Sequence, residues 1–105
     1  DGITIVQDGV FKFVKPQLAR MLGYKQDEIL NRPFIPFISP ESLPTVSKYY
    51  KNRISGKPAP PVYTVKAVHK DGREIPIELS VSKITFNGRI ALLDIIRDLS
   101  FRQKA

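Results

Sequence analysis

At 105 residues the chain is long enough for one hydrophobic core and too short for two. No apolar run approaches the ~18 residues that a spanning helix requires, and with no cysteine there is no disulfide, thiolate metal site or cysteinyl photoadduct. The net charge of +7 admits an anionic partner, but the basic residues are scattered. Only Lys48–Lys57 is dense, with Lys48, Lys51, Arg53 and Lys57 around Tyr49 and Tyr50. We read that stretch as a solvated helix face in preference to a nucleic-acid surface. The opening on Asp1, with neither initiator Met nor signal-peptide pattern, reads as a domain cut from a longer protein, and the expected place is cytoplasmic, either free or as the cytoplasmic part of a membrane-bound protein.

The first element is a hairpin. Ile3-Thr4-Ile5 alternates, Asp8-Gly9 turns, and Val10 to Val14 returns, which predicts Ile3, Ile5, Phe11 and Phe13 as inward positions. Pro16 then opens a helix at the position where its missing N–H costs nothing. Leu18, Met21 and Leu22 form its apolar stripe, and Gly23 ends it in the left-handed C′ position. A short helical turn follows over Gln26–Leu30, with Ile29 and Leu30 inward. Pro33, Pro36 and Pro40 break the next stretch into one loose turn carrying Phe34, Phe37 and Ile38. Ser39 is predicted to cap a longer helix with Pro40 at its first position. Its face would be Leu43, Val46, Tyr50 and Ile54, with Gly56 as the stop.

Pro58 to Pro61 is a stiff connector into the last third of the chain. There Tyr63, Val65 and Ala67 repeat at period two, Lys70-Asp71-Gly72 turns, and Ile75, Ile77, Leu79 and Val81 repeat again. Asn87-Gly88 makes a further turn before the nearly continuous apolar run Ile90–Ile96, which suits a central strand covered on both faces. The expected architecture is α+β: a single five-stranded antiparallel sheet with residues 16–56 packed on one face. The Ile90–Ile96 strand is the natural neighbour of Ile3–Val6. Pro76 would mark a strand start or a bulge. At the end, Ser100 and Gln103 fit a capping box, so a new helix is expected to begin over residues 99–105.

Taken in order, these motifs resemble a PAS domain over essentially the whole chain. The matching features are Asp1-Gly2-Ile3, Leu22-Gly23-Tyr24, Pro33-Phe34 and Phe37-Ile38-Ser39-Pro40-Glu41. Lys70-Asp71-Gly72 and the closing Asp98-Leu99-Ser100 complete the set. Lys15 departs from the pattern, since many members carry Asn before the first helix. The resemblance implies strand order 2-1-5-4-3, a sensor domain over residues 1–98, and a signalling helix starting in 99–105. It also implies homodimerisation, an output domain that follows in a histidine kinase or related signalling protein, and a small cavity between helices and sheet.

Met21, Phe34, Phe37, Tyr50, Val65, Leu79 and Leu92 could line such a cavity, although ordinary core packing is the favoured account of each of them. Asp98, Leu99 and Ser100 would form the junction that passes the signal on. Haem-binding members usually carry a His on the long helix, here Pro40–Ile54, and this chain has none there. Its one histidine, His69, abuts the hairpin turn and reads as a solvated surface residue. Flavin-adduct members need a Cys, also absent. A small organic ligand, or none, is the expectation, with non-covalent flavin, or haem on another ligand, left open. No catalytic constellation stands out, because Ser/His/Asp chemistry would have to use His69.

Overall fold

The computed structural model describes residues 1–100. Five strands form one antiparallel sheet: β1 (Gly2–Gln7), β2 (Val10–Val14), β3 (Val62–Val68), β4 (Glu74–Phe86) and β5 (Arg89–Asp98). Their spatial order is β2-β1-β5-β4-β3, with β5 between the first hairpin and the second. Three helices connect β2 to β3: α1 (Pro16–Met21), α2 (Gln26–Ile29) and α3 (Leu43–Ile54), with a 3-10 turn at Ile35–Phe37. They lie on one face of the sheet, and the core sits between the two layers. The expected fold class and strand order are both present.

The hairpin turns follow from residues that tolerate positive φ. Asp8 and Gly9 close β1–β2 at φ 55° and 74°, and Asn87 and Gly88 close β4–β5 at 51° and 79°. Gly23 ends α1 at φ 79°. A Cβ there would lie 2.4 Å from the His69 ring, so the close approach and the left-handed backbone both demand glycine. The β4 core face reads as expected, with Ile75, Ile77, Leu79 and Val81 all buried.

Pro76 sits inside β4 without disrupting it. Its carbonyl accepts from the Leu99 N–H at 2.9 Å, and its neighbour Ile77 opposes Asp98, the last residue of β5. In an antiparallel strand a residue's N–H and C=O point to the same side. The missing donor of Pro76 therefore falls beyond the end of β5, where no ladder bond is lost.

Four expectations need correction. In the first hairpin the buried positions are Gly2, Thr4, Val6, Gln7, Phe11 and Val14, whereas Ile3 and Ile5 point to the outer face and Phe13 is 40% exposed. The register of β1–β2 shifts between Ile5 and Val6, so one bulge carries the strands out of simple alternation. The Ile90–Ile96 run is not covered on both sides: Ile95 is exposed on the outer face, and Ile90 is exposed near the start of the strand.

The long helix starts at Leu43, not at Pro40. Starting at Pro40 would place Pro44 where an i→i−4 donor is required, whereas as the second residue of α3 it needs none. Ser39 instead accepts from the Ser42 N–H at 3.3 Å, and the Ser42 hydroxyl accepts from the Lys66 N–H at 3.0 Å, tying this corner to β3. Finally, of the face predicted for α3 only Val46 is buried, and Ile54 is exposed.

Candidate functional site

The thin packing under α3 leaves a cavity of about 60 Å³ between that helix and the inner face of the sheet. At ~12–30 Å³ per water-sized group, this is room for two to five such groups. Phe34, Phe37, Tyr50, Leu79 and Leu92, five of the seven residues singled out from the sequence, line it. Met21 and Val65 do not: Met21 packs on the core from its edge, and Val65 is buried outside the cavity wall. Leu18, Leu22, Val46 and Ile96 complete much of the apolar lining. Aromatic rings fix the wall, with Phe34 and Tyr50 centroids 5.2 Å apart and Phe37 held edge-on by Phe11 at 5.6 Å and Tyr24 at 5.3 Å.

Three polar side chains in the lining were not expected: Arg53, Tyr63 and Asp94. Each follows from a periodicity that was visible. Asp94 stands two residues from Leu92 and two from Ile96 on β5, so it shares their inward face. Tyr63 alternates with Val65 on β3. Arg53 lies seven residues after Val46, two helical turns along the same side of α3.

Asp94 is the unusual member. It lines the cavity and is half-buried, with protein around most of its carboxylate. Burial raises its carboxyl from an ordinary 3.8 to about 7, against the opposing pull of the Thr4 hydroxyl and the Arg53 charge. Its hydrogen bond is a long one, from Thr4 Oγ1 to Oδ2 at 3.3 Å. Among the described residues no Lys, Arg or His nitrogen lies within 4.0 Å of it.

The neighbouring groups are occupied elsewhere. Arg53 Nη2 donates to the Pro60 carbonyl at 2.6 Å, which anchors the end of α3 to the proline connector. This removes Arg53 from any exposed basic face, where Lys48, Lys51 and Lys57 remain. The Tyr50 hydroxyl accepts from the Gly9 N–H at 2.8 Å. Burial raises its phenol, the Gly9 bond opposes this, and Asp8 and Asp94 add to the rise. Tyr63, edge-on to Tyr49 at 4.8 Å, is pushed up to about 12 by burial and then by the Asp94 charge. Both phenols stay neutral hydrogen-bonding groups at ordinary pH.

At the end of β5, Asp98 Oδ1 accepts from the Ser100 N–H at 2.8 Å, and Leu99 is tied to Pro76. Asp98 thus closes a local turn at the strand end. Arg97 pairs instead with Glu78 at 2.7 Å. The capping box with Gln103 lies outside the described residues. His69 is less solvated than its place in the sequence implied. Its side chain is 16% exposed and packs against Gly23, and Nδ1 accepts from the Asp71 N–H at 3.1 Å. It is a clasp between the β3–β4 turn and the end of α1, remote from the cavity lining.

The family model for PAS domains matches residues 1–101. The chain belongs to the PAS domain family. Solved PAS domains share the fold at low sequence identity. One from Desulfitobacterium hafniense superposes with a TM-score of 0.82 at 21% identity, covering 94% of this chain and 92% of that one. The N-terminal domain of a diguanylate cyclase with a PAS/PAC sensor from Marinobacter aquaeolei gives 0.76 at 21%, covering 98% and 99%. A PAS domain from a two-component sensor histidine kinase gives 0.74 at 14%, covering 92% and 83%. A search of curated proteins finds no match.

Some PAS domains carry haem or flavin, so the fit of each group to this cavity can be judged from its lining. That lining offers neither His nor Cys. Its volume is also far below that of a porphyrin or an isoalloxazine. The residues present do not fit either group.

Proposed function

We propose that this PAS domain is the sensory module of a signal-transduction protein, and that occupancy of its cavity biases the segment leaving β5. One observation carries the reading: Leu92, Asp94 and Ile96 line the cavity on the same strand that ends at Asp98, Leu99 and Ser100. A change of contact at Asp94 acts on a rigid element only four residues from the junction. In this mechanism the occupant shifts a population between two arrangements of that junction. The similar fold of PAS domains from a histidine kinase and a diguanylate cyclase supports an output of that type, on the cytoplasmic side where nucleotide substrates are found. The engagement of its one histidine in the β3–β4 turn supports a module with no catalysis of its own.

Replacing Asp98 by Ala in the full-length protein tests the coupling. The expected result is a lost response of the output activity with domain stability changed by no more than about 1 kcal/mol, the worth of one local hydrogen bond. A wild-type response in that variant would refute the relay.

A second reading, a structural dimerisation module, is favoured by the outer face of the sheet. There Ile3 and Ile5 lie beside Ile95 and Leu93, next to Phe13, and Ile95 is 41% exposed. We propose that this face pairs two copies of the module. Ile95→Glu should convert the dimer to monomer in sedimentation or native mass spectrometry. An unchanged mass, or a monomeric wild type, removes the dimer. Sensing and pairing are compatible, and the two tests are independent.

A further inference from the structure

We propose that the cavity takes a small organic ammonium ion, with its N–H groups on the Asp94 carboxylate and its short alkyl part against Phe34, Tyr50 and Leu92. This deepens the sensory reading above and rests on it.

The argument begins with what Asp94 lacks. An ionised carboxylate has about four lone-pair positions, and the one bond it receives, from Thr4, is long. No cation among the described residues is close enough to form an ion pair with it. A carboxylate enclosed in this way is costly until a partner neutralises it.

The remaining lining then selects the partner. An anion would meet like charge at Asp94. A purely apolar occupant would leave the carboxylate with Thr4 alone. A neutral alcohol would supply one donor and no charge. An ammonium ion supplies three donors and the missing charge, and an attached ethyl-sized group suits a cavity of about 60 Å³ with apolar walls.

The other groups bearing on Asp94 are Thr4 from β1, Arg53 and Tyr50 from α3, and Tyr63 from β3. Of these only Arg53 is cationic, and one arm of its guanidinium is held by Pro60. It opposes a second positive charge, yet it would meet the carboxylate of a small amino acid. A simple amine and an amino acid share the ammonium group and differ at Arg53, so the experiment must separate them.

The test is a titration of the ¹⁵N-labelled chain, followed by NMR, with ethylammonium, ethanol and glycine at about pH 5.5 and about pH 8.5. The expected result is a set of shifts around Thr4 and Leu92–Ile96 with ethylammonium, and binding about thirtyfold tighter at the higher pH as Asp94 ionises. Asp94→Asn keeps the shape, removes the charge, and should bind at least about tenfold more weakly with no pH dependence. Glycine binding more tightly than ethylammonium, with that advantage lost in Arg53→Gln, would assign the natural ligand to the amino acids. The reverse order assigns it to simple amines.

Equal binding of ethanol and ethylammonium at both pH values overturns the ammonium proposal and leaves the cavity a ligand site. Silence from every probe at tens of millimolar overturns the proposal and the ligand-sensing reading together. The pH comparison is made on the unaltered chain, so it decides the matter even if the Asp94 variant fails to fold.

Discussion

The two halves of the helical layer are built differently. Under α1 and α2, Val14 and Ile29 are 0% exposed and Leu18 and Ala19 nearly so. Under α3, a helix of 12 residues, Val46 is the one buried side chain. The first half is packed as a protein interior is packed. The second half spans a cavity, and its helix is held at the ends by Ser42 on β3 and by Arg53 on the proline connector. The contrast separates two duties: the α1–α2 side holds the fold together, and the α3 side leaves room for an occupant.

The sharpest way to break the contrast is to delete packing on each side. Ile29→Ala should cost about 2–5 kcal/mol in denaturant unfolding, through lost transfer energy and a void that cannot collapse. Ile54→Ala, on the exposed side of α3, should change stability by no more than about 0.5 kcal/mol. Comparable losses at the two positions would show that α3 is packed after all.

The next effect is a pH dependence that belongs to the cavity side alone. Because the Asp94 carboxyl is raised from 3.8 to about 7, the folded chain keeps a proton that the unfolded chain has released between those values. The stability contributed by Asp94 is therefore greatest below about pH 4, falls as pH rises, and levels off above about pH 7. The loss is on the order of 4 kcal/mol at most, and water in the cavity lowers it. Asp94→Asn should flatten this slope and leave the protein more stable than wild type at pH 8. Glu28, held low by the Lys25 N–H and Lys70, and Asp71, held low by Arg73, act in the opposite sense at more acidic pH. A wild-type unfolding curve unchanged between about pH 4.5 and 7.5 would show that Asp94 ionises freely.

A smaller effect should come from Tyr50. Tyr50→Phe removes the acceptor for the Gly9 N–H while leaving the ring against Phe34. The expected cost is about 1 kcal/mol by thermal unfolding. A neutral result would mean that water takes over the Gly9 donor.

Most of the framework was legible because local chemistry and global pattern agree. The Gly23 stop, the three hairpin turns and the alternating core face of β4 each arise within a few residues of chain. The errors fall where a pattern had two solutions. Ile3 and Ile5 were assigned inward because apolar residues normally face the core, but this sheet is apolar on both sides of β1, and Thr4 takes the inner position. The start of α3 depended on whether Ser39 or Ser42 stands at the helix entrance, and Pro44 decides that only once its hydrogen-bond requirement is counted.

The polar part of the site was missed for a different reason. Asp94 interrupts the greasy run Ile90–Ile96, and a single acid in such a run is easily passed over as noise. Carrying the two-residue alternation from Leu92 through Asp94 to Ile96 would have placed it inside. What no pattern could supply is its isolation from counter-charge, since that depends on Arg53 reaching the Pro60 carbonyl across the connector.

The helical layer also shields both margins of the sheet. Along β2, Phe11 exchanges hydrogen bonds with Asn31 and Arg32, and the Phe34 N–H reaches the Gly9 carbonyl. Along β3, Lys66 donates to Ser42 and accepts from Ser39. At these positions the backbone of the two margins is already hydrogen-bonded and is not available to a strand from another molecule. Backbone-mediated growth of the sheet is thereby hindered where the helical layer meets β2 and β3.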